Sequence, residues 1–284
     1  MNEKLLNISG KIDPAIVAIY SEIIDIAKEH GIELFVVGAS ARDIVLQHGY
    51  GIQPKLGTDD IDFAIQIAAW GDFDSLKERL IATGKYQADK KITHRLYFLG
   101  KKPIDIIPFG ALVGENHQLS WPPSYEFNMN MRGYNEAYES AIKIRITDDP
   151  VVEIKVVAPA AYVVLKLIAW SDRADKTNKD ALDIALLMHT YMDVDNTQRL
   201  ADEHVDLTQD DDYTYHKAGA RMLGRDMARL CTADTLDFIK TLLEKETGEQ
   251  KKYKLVEGMA RGEYGYDFYE CLELLESLNL GLRD

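Results

Sequence analysis

The feature that most restricts this chain is a regular alternation, over its first 110 residues, of short apolar runs with segments of helical period. Ile16, Ile19, Tyr20, Ile23 and Ile26 recur at helical spacing behind Pro14, with Asp13 as the expected N-cap and Gly31 as the stop. Leu34–Val37 is apolar and ends in Gly38, which reads as a buried strand, and Ala41–His48 reads as a helix running into the Gly/Pro-rich stretch 49–57. Ile61–Ile65 is a second expected strand, Phe73–Thr83 a helix, and His94–Leu99 and Pro103–Ile107 are strands separated by Gly100-Lys101-Lys102. Such an order predicts an α/β layer around a mixed sheet.

Further on, Ile142–Ile146 and Val151–Val157 read as strands around an Asp148-Asp149-Pro150 turn. After Pro159 the pattern is helical, with breaks near 171–178 and 193–212. We therefore expect an α/β domain over residues 1–155 and a helical domain over 156–284.

The 284 residues are 46% apolar, enough for a substantial core without crosslinks. Forty-seven acidic against 33 basic residues give a net charge of −14, which argues against non-specific coating of nucleic acid but leaves a local basic groove open. Cys231 and Cys271 lie far apart and form no metal-type spacing, as expected of a reduced, cytoplasmic chain. The longest run without a polar side chain, Val156–Leu165, is ten residues, against the roughly 20 that a bilayer needs. Met1–Gly10 carries Glu3 and Lys4 and has no leader-like run, so neither secretion nor a membrane is expected. The acidic stretch Asp202, Glu203, Asp206 and Asp210–Asp212 reads as solvated loop, since it lacks the Gly and terminal Glu of a calcium loop.

Three features of the first half carry chemistry. Gly38-Ala39-Ser40 joins a strand to a helix, where free backbone N–H groups favour an anion and small side chains let a phosphate approach. A strand–helix turn also takes glycine for steric reasons alone. Within Thr58-Asp59-Asp60-Ile61-Asp62-Phe63, Asp60 and Asp62 share a strand face and repel each other. A divalent cation with oxygen ligands would relieve that repulsion, and a solvated strand edge is the alternative. Asp105 is the one acid in Pro103-Ile104-Asp105-Ile106-Ile107-Pro108 and needs solvent, a partner or a metal. If its strand neighbours that of Asp60 and Asp62, the three acids converge. His94-Arg95 reads as an edge-strand pair, with Arg95 within reach of the acids as the second reading, and Trp121-Pro122-Pro123 as a packed loop.

Together these residues resemble the nucleotidyltransferase superfamily with the polymerase-beta-like fold. Its pattern is an apolar residue, a glycine turn with Ser, a helix, Asp-x-Asp and a third Asp, matched here by Val37, Gly38, Ala39, Ser40, Asp60, Asp62 and Asp105. Ala39 stands where a second glycine is commoner, and the interval from Ser40 to Asp60 is longer than usual.

In the helical half, Lys166 interrupts an apolar helix two turns before Arg173, and Asp180 and Asp183 are three apart. From spacing alone, Lys166 reads equally as a lysine snorkelling out of its helix, whose loss would leave stability unchanged, and Arg173 as a partner for Asp172, Asp175 or Asp180. The segment also resembles the third motif of the AbiEii-type abortive-infection nucleotidyltransferase toxins, through Lys166, Ala169, Arg173, Lys179, Asp180 and Asp183. Arg42 and Asp43 after the glycine turn fit the same group, and the resemblance spans about Leu34–Leu187.

The resemblance implies an α+β (α/β) nucleotidyltransferase-like mixed-sheet domain followed by a mainly helical domain that completes the active site. It implies Mg²⁺ (or Mn²⁺), two ions, on Asp60, Asp62 and Asp105. Nucleotide contacts fall to Gly38, Ala39, Ser40, Arg42, Lys166 and Arg173, with Lys166 and Asp180 joining the catalytic set. The expected reaction moves an NMP from an NTP to a hydroxyl of RNA (tRNA) or protein, with a small antitoxin as a partner. The rivals are an antibiotic adenylyltransferase, a relative that only binds nucleotide or a partner, and a glycosyltransferase. The third Asp and the helical Lys motif count against the last.

Overall fold

The structure, a computed structural model, describes residues 5–209, 212–248 and 252–284. Asp210 and Asp211 of the acidic stretch, and Met1–Lys4, lie outside the described residues. The chain divides into two compact units, Met1–Ala158 and Pro159–Asp284.

The first unit is built on an eight-stranded mixed sheet. In chain order its described elements are β1 (Leu6–Asn7), α1 (Pro14–Glu29), β2 (Glu33–Val37), α2 (Gly38–Asp43), β3 (Ile61–Gln66), α3 (Trp70–Ala82), β4 (Tyr86–Ala88), β5 (Arg95–Phe98) and β6 (Lys102–Phe109). They continue with β7 (Gln118–Ser120), β8 (Asn128–Asn130), α4 (Tyr134–Glu139), β9 (Ile142–Asp148) and β10 (Val151–Val156). The large sheet runs β1-β9-β10-β2-β3-β6-β5-β4, while β7 and β8 form a separate two-stranded sheet.

Helix α1 begins as its sequence dictates. Asp13 Oδ1 accepts the Ala15 N–H at 2.7 Å, and Pro14 sits where no N–H is needed. Cross-strand register places Val36, Phe63 and Ile106 on one sheet face, where Tyr20 of α1 meets Phe63 edge-on at 5.6 Å. The opposite face carries Phe35 and Phe109, covered by Tyr138 of α4. Helix α2 passes directly into a turn of π-helix over Ile44–Gly49, so the segment expected as one helix is two. The elements of the first unit without an expectation, β1, β4, β7, β8 and α4, are two to six residues each, too short for a period to show.

The second unit is helical: α5 (Pro159–Arg173), α6 (Lys179–Thr190), α7 (Thr197–Glu203), α8 (Tyr215–Leu230), α9 (Ala233–Thr247), α10 (Lys254–Ala260) and α11 (Phe268–Gly281). Helices α8 and α11 approach so closely that a Cβ on Gly224 would lie 2.2 Å from the Leu278 carbonyl oxygen. Among the described residues, no helix is long and apolar enough to cross a membrane.

Candidate active site

The sheet brings the three acids of the first unit together. Strands β3 and β6 pair in parallel, with Asp62 directly opposite Asp105. Asp60 sits just before β3, its Oδ1 accepting the Thr58 hydroxyl. One carboxylate oxygen from each of Asp60, Asp62 and Asp105 can be chosen so that all three lie within 4.8 Å of one another. Both faces of β3 are covered further along, Ile61 and Phe63 on one and Ala64 on the other, and Asp62 is half-buried near the start of the strand on the face of Ala64.

Gly38 is required here for two separate reasons. Its φ is +66°, and a Cβ at this position would lie 2.0 Å from Asp62 Oδ2. Ser40 Oγ donates to the Val37 carbonyl at 3.2 Å and accepts the Asp62 N–H at 3.4 Å, stitching the turn to β3. The glycine turn and the Asp-x-Asp strand are thus one contact surface.

Arg95 belongs to the cluster. From β5, directly opposite Asp105 in antiparallel register, its Nε and Nη2 donate to Asp105 Oδ1 and Oδ2, both at 2.7 Å, and Nη2 lies 3.5 Å from Asp60 Oδ2. The sequence offers Arg95 only as an edge residue within reach; the strand pairing makes it the partner. The hydrogen bond to Asp105 holds the guanidinium pKa above its ordinary value. His94 Nε2 is 3.9 Å from Asp105 Oδ2, but burial pulls the imidazole pKa down and the nearby Asp105 offsets this only in part.

Three carboxylates against one guanidinium leave two negative charges in excess. All candidate donors are carboxylate oxygens, the chemistry that suits a hard divalent cation. The residues present therefore fit such an ion.

The second unit has its own charged cluster. Lys166 Nζ lies 3.1 Å from Asp180 Oδ1 and 2.7 Å from Asp183 Oδ2, with its side chain only 12% exposed. Arg173 Nε and Nη2 grip Asp180 at 2.6 and 2.8 Å, and the Tyr162 hydroxyl donates to Asp183 at 2.9 Å. Two cations and two anions balance. Burial pulls the Lys166 pKa down, but the two aspartates outweigh it and the ammonium stays charged. Burial likewise raises the Asp180 pKa, and Arg173 with Lys166 more than reverses this. Lys166 does not snorkel to solvent: its head group is held by two buried acids.

Arg42, expected at the nucleotide, is buried at the base of the turn. Its side chain is 1% exposed, with its guanidinium on Asp43 and on the Leu56 carbonyl, where it ties down the 49–57 stretch.

A model of the nucleotidyl transferase AbiEii toxin family, from type IV toxin–antitoxin systems, matches residues 57–263. The chain belongs to this family. As an AbiEii-family protein it is a nucleotidyltransferase, and the match takes in the Asp60–Asp62 strand, Asp105 and the Lys166–Asp183 segment. Among solved structures it is similar to the antibiotic-resistance factor ANT(2'')-Ia, at 13% identity over 70% of this chain and 97% of that one, with a TM-score of 0.35. A CCA-adding enzyme in its apo form II is similar at 15% identity over 92% of this chain and 67% of that one, TM-score 0.32. The Thermotoga maritima CCA-adding enzyme complexed with tRNA is similar at 13% identity over 96% and 82%, TM-score 0.27. No curated protein matches.

Proposed function

We propose that this AbiEii-family protein uses Mg²⁺ to move an NMP from an NTP to a hydroxyl of RNA or protein, in the cytoplasm and under control of a small antitoxin. The observation that carries this reading is the direct opposition of Asp62 and Asp105 on neighbouring strands, with Asp60 beside them and the glycine turn against Asp62.

Asp60, Asp62 and Asp105 would hold the divalent ions. Such ions supply Lewis-acid stabilisation of the attacking and leaving oxygens of an in-line displacement. The chain's own contribution is position and charge. The Gly38-Ala39-Ser40 turn, with small side chains at the start of α2, would offer backbone N–H groups to phosphate oxygens, while the absent Gly38 side chain makes room for Asp62. Arg95 holds Asp105 in orientation and brings a positive charge to the same place. The acceptor oxygen bonds to the α-phosphorus, the bond to the β-phosphate oxygen breaks, and the hydroxyl proton passes to a carboxylate of the triad. Lys166 and Arg173 are assigned to the nucleotide phosphates by resemblance to the third family motif, with Asp180 as the group that orients both.

Incubating the protein with each α-labelled NTP, Mg²⁺ and total RNA, protein lysate or aminoglycosides tests the reading. Label should move to RNA or protein with Mg²⁺, not with EDTA, and not with Asp62→Asn, whose fold should be intact. Transfer by Asp62→Asn at the wild-type rate, or no transfer to any acceptor, overturns it. Label on the aminoglycoside would make the enzyme a small-molecule transferase.

A further inference from the structure

The first unit contains a cleft of about 540 Å³, within the usual range of roughly 300–1,000 Å³ for small-ligand sites. Its floor is the β7–β8 hairpin. The register Gln118↔Asn130, Leu119↔Met129 and Ser120↔Asn128 puts every amide and hydroxyl of the pair on one face, with Leu119 buried on the other. Trp70 and Tyr125, the latter 55% exposed, complete the walls.

All the residues lining this cleft are uncharged. A phosphate would meet no cation there, and a polycationic antibiotic no anion. What the walls offer is flat aromatic surface and neutral hydrogen bonds, some of them fixed in orientation. Ser120 Oγ donates to Asn128 Oδ1 at 2.6 Å, and Asn116 Oδ1 accepts the Gln118 N–H at 3.0 Å. Both carbonyl oxygens are thereby engaged, so both side-chain NH₂ groups remain as oriented donors. A planar ring with neutral acceptors on its edge matches this set.

A chain of ring contacts through the buried Trp121 links one wall of the cleft to the acids. The Trp70 ring centre is 5.2 Å from that of Trp121, Trp121 is 5.1 Å from His94, and His94 Nε2 is 3.9 Å from Asp105 Oδ2. The geometry points to a nucleobase subsite: the β7–β8 cleft receives one unpaired base, stacked on Tyr125 or Trp70 and held by Asn116 and Asn128, while the attached backbone lies toward the triad. This inference rests on the nucleotidyl-transfer reading and deepens it. The base comes either from the acceptor strand or from the NTP, and the experiment separates these sources.

Tyr125→Ala and the double variant Asn116→Leu/Asn128→Leu change exposed side chains and leave the core alone. The full-length protein and both variants are titrated with a labelled single-stranded oligoribonucleotide, its abasic counterpart and a nonhydrolysable NTP with Mg²⁺, and separately with Mn²⁺ alone. With a base from the acceptor strand, wild type should bind the base-bearing strand about tenfold tighter than the abasic one and each variant should lose most of that difference; with a base from the NTP, each variant should instead lose about tenfold in NTP affinity. Mn²⁺ binding should not change. A loss confined to the oligoribonucleotide assigns the base to the acceptor, and a loss confined to the NTP assigns it to the donor; both support the subsite. Wild-type affinity of both variants for strand and NTP alike overturns it, with nucleotidyl transfer still standing. Conversely, absent transfer with an intact cleft effect overturns the reaction and keeps the subsite.

Discussion

The guanidinium of Arg95 and the carboxylate of Asp105 meet fork to fork, 2.7 Å at each prong, from directly opposed positions on antiparallel strands β5 and β6. Both Asp105 oxygens are therefore engaged by a cation that belongs to the chain. A metal ion arriving at the triad must compete with that cation for Asp105 and be repelled by it. Charge-assisted bonds of this kind are worth roughly 1.5–3 kcal/mol.

Arg95→Met should therefore tighten Mn²⁺ binding in the absence of nucleotide by about tenfold, while slowing transfer, since Asp105 loses its orienting partner. Paramagnetic titration of the two proteins reads this directly. Equal or weaker Mn²⁺ binding by the variant would show that Arg95 does not compete for the site.

Gly38→Ala introduces a methyl group where Asp62 Oδ2 already stands, at a backbone angle that L residues rarely adopt. The expected result is a destabilisation of about 1 kcal/mol or more and a displaced Asp62, with transfer lost more completely than stability. Thermal melts and initial rates on the same preparation test it. A variant that melts and turns over like wild type contradicts the close approach.

Lys166→Met would strip the 12%-exposed ammonium from two buried acids, leaving the half-exposed Arg173 on Asp180. Asp183 keeps the Tyr162 hydroxyl as a hydrogen-bond donor but loses the ammonium 2.7 Å away, and Asp180 loses the one 3.1 Å away. The helical unit should lose roughly 3–5 kcal/mol, visible as a lower denaturation midpoint. An unchanged midpoint would return Lys166 to the solvent-seeking role.

Acid should weaken the second unit in a defined window. Burial raises the pKa values of Asp180 and Asp226, but Arg173 with Lys166 in one case, and Arg199 with Tyr191 in the other, bring both below the ordinary value of 3.8. Their stabilising contribution is then complete above that value and is lost as pH falls through the lower folded values. The difference in melting temperature between the protein and Asp226→Asn should stay level from neutral pH to about 5 and shrink below about 4, on top of an earlier loss below about 6.5 from His189 and His204, whose pKa values burial lowers. Asp226→Asn, starting lower at pH 5, should lose less on further acidification. Parallel losses in the two proteins would remove Asp226 from the explanation.

Several of these relationships were open to sequence reasoning only in part. The strands of Asp62 and Asp105 are visible as apolar runs, and helical spacing puts Lys166 and Arg173 on one face and Asp180 and Asp183 on another. Whether those faces meet depends on how α5 and α6 pack, which periodicity within one helix does not contain. The β7–β8 hairpin has three-residue strands, Gln-Leu-Ser and Asn-Met-Asn, whose polar residues give no apolar alternation to find. Arg42 shows the reverse case: a cation beside a phosphate-type turn, turned inward because Asp43 is its immediate neighbour and Leu56 offers a carbonyl.

By itself the sequence determined the longer local elements and the kind of chemistry, since apolar runs, an N-cap, a glycine turn, an Asp-x-Asp strand and a lone third Asp are all properties of residues near one another in the chain. Tertiary structure alone decided which side chains became partners. Asp62 is 43 residues from Asp105 and reaches it only because β3 hydrogen-bonds to β6 in parallel. Arg95 reaches the same acid because β5 lies on the other side of β6. Strand order is set by how all the apolar faces are buried at once, a global condition that no local pattern encodes, and the charge balance of the active site follows from it.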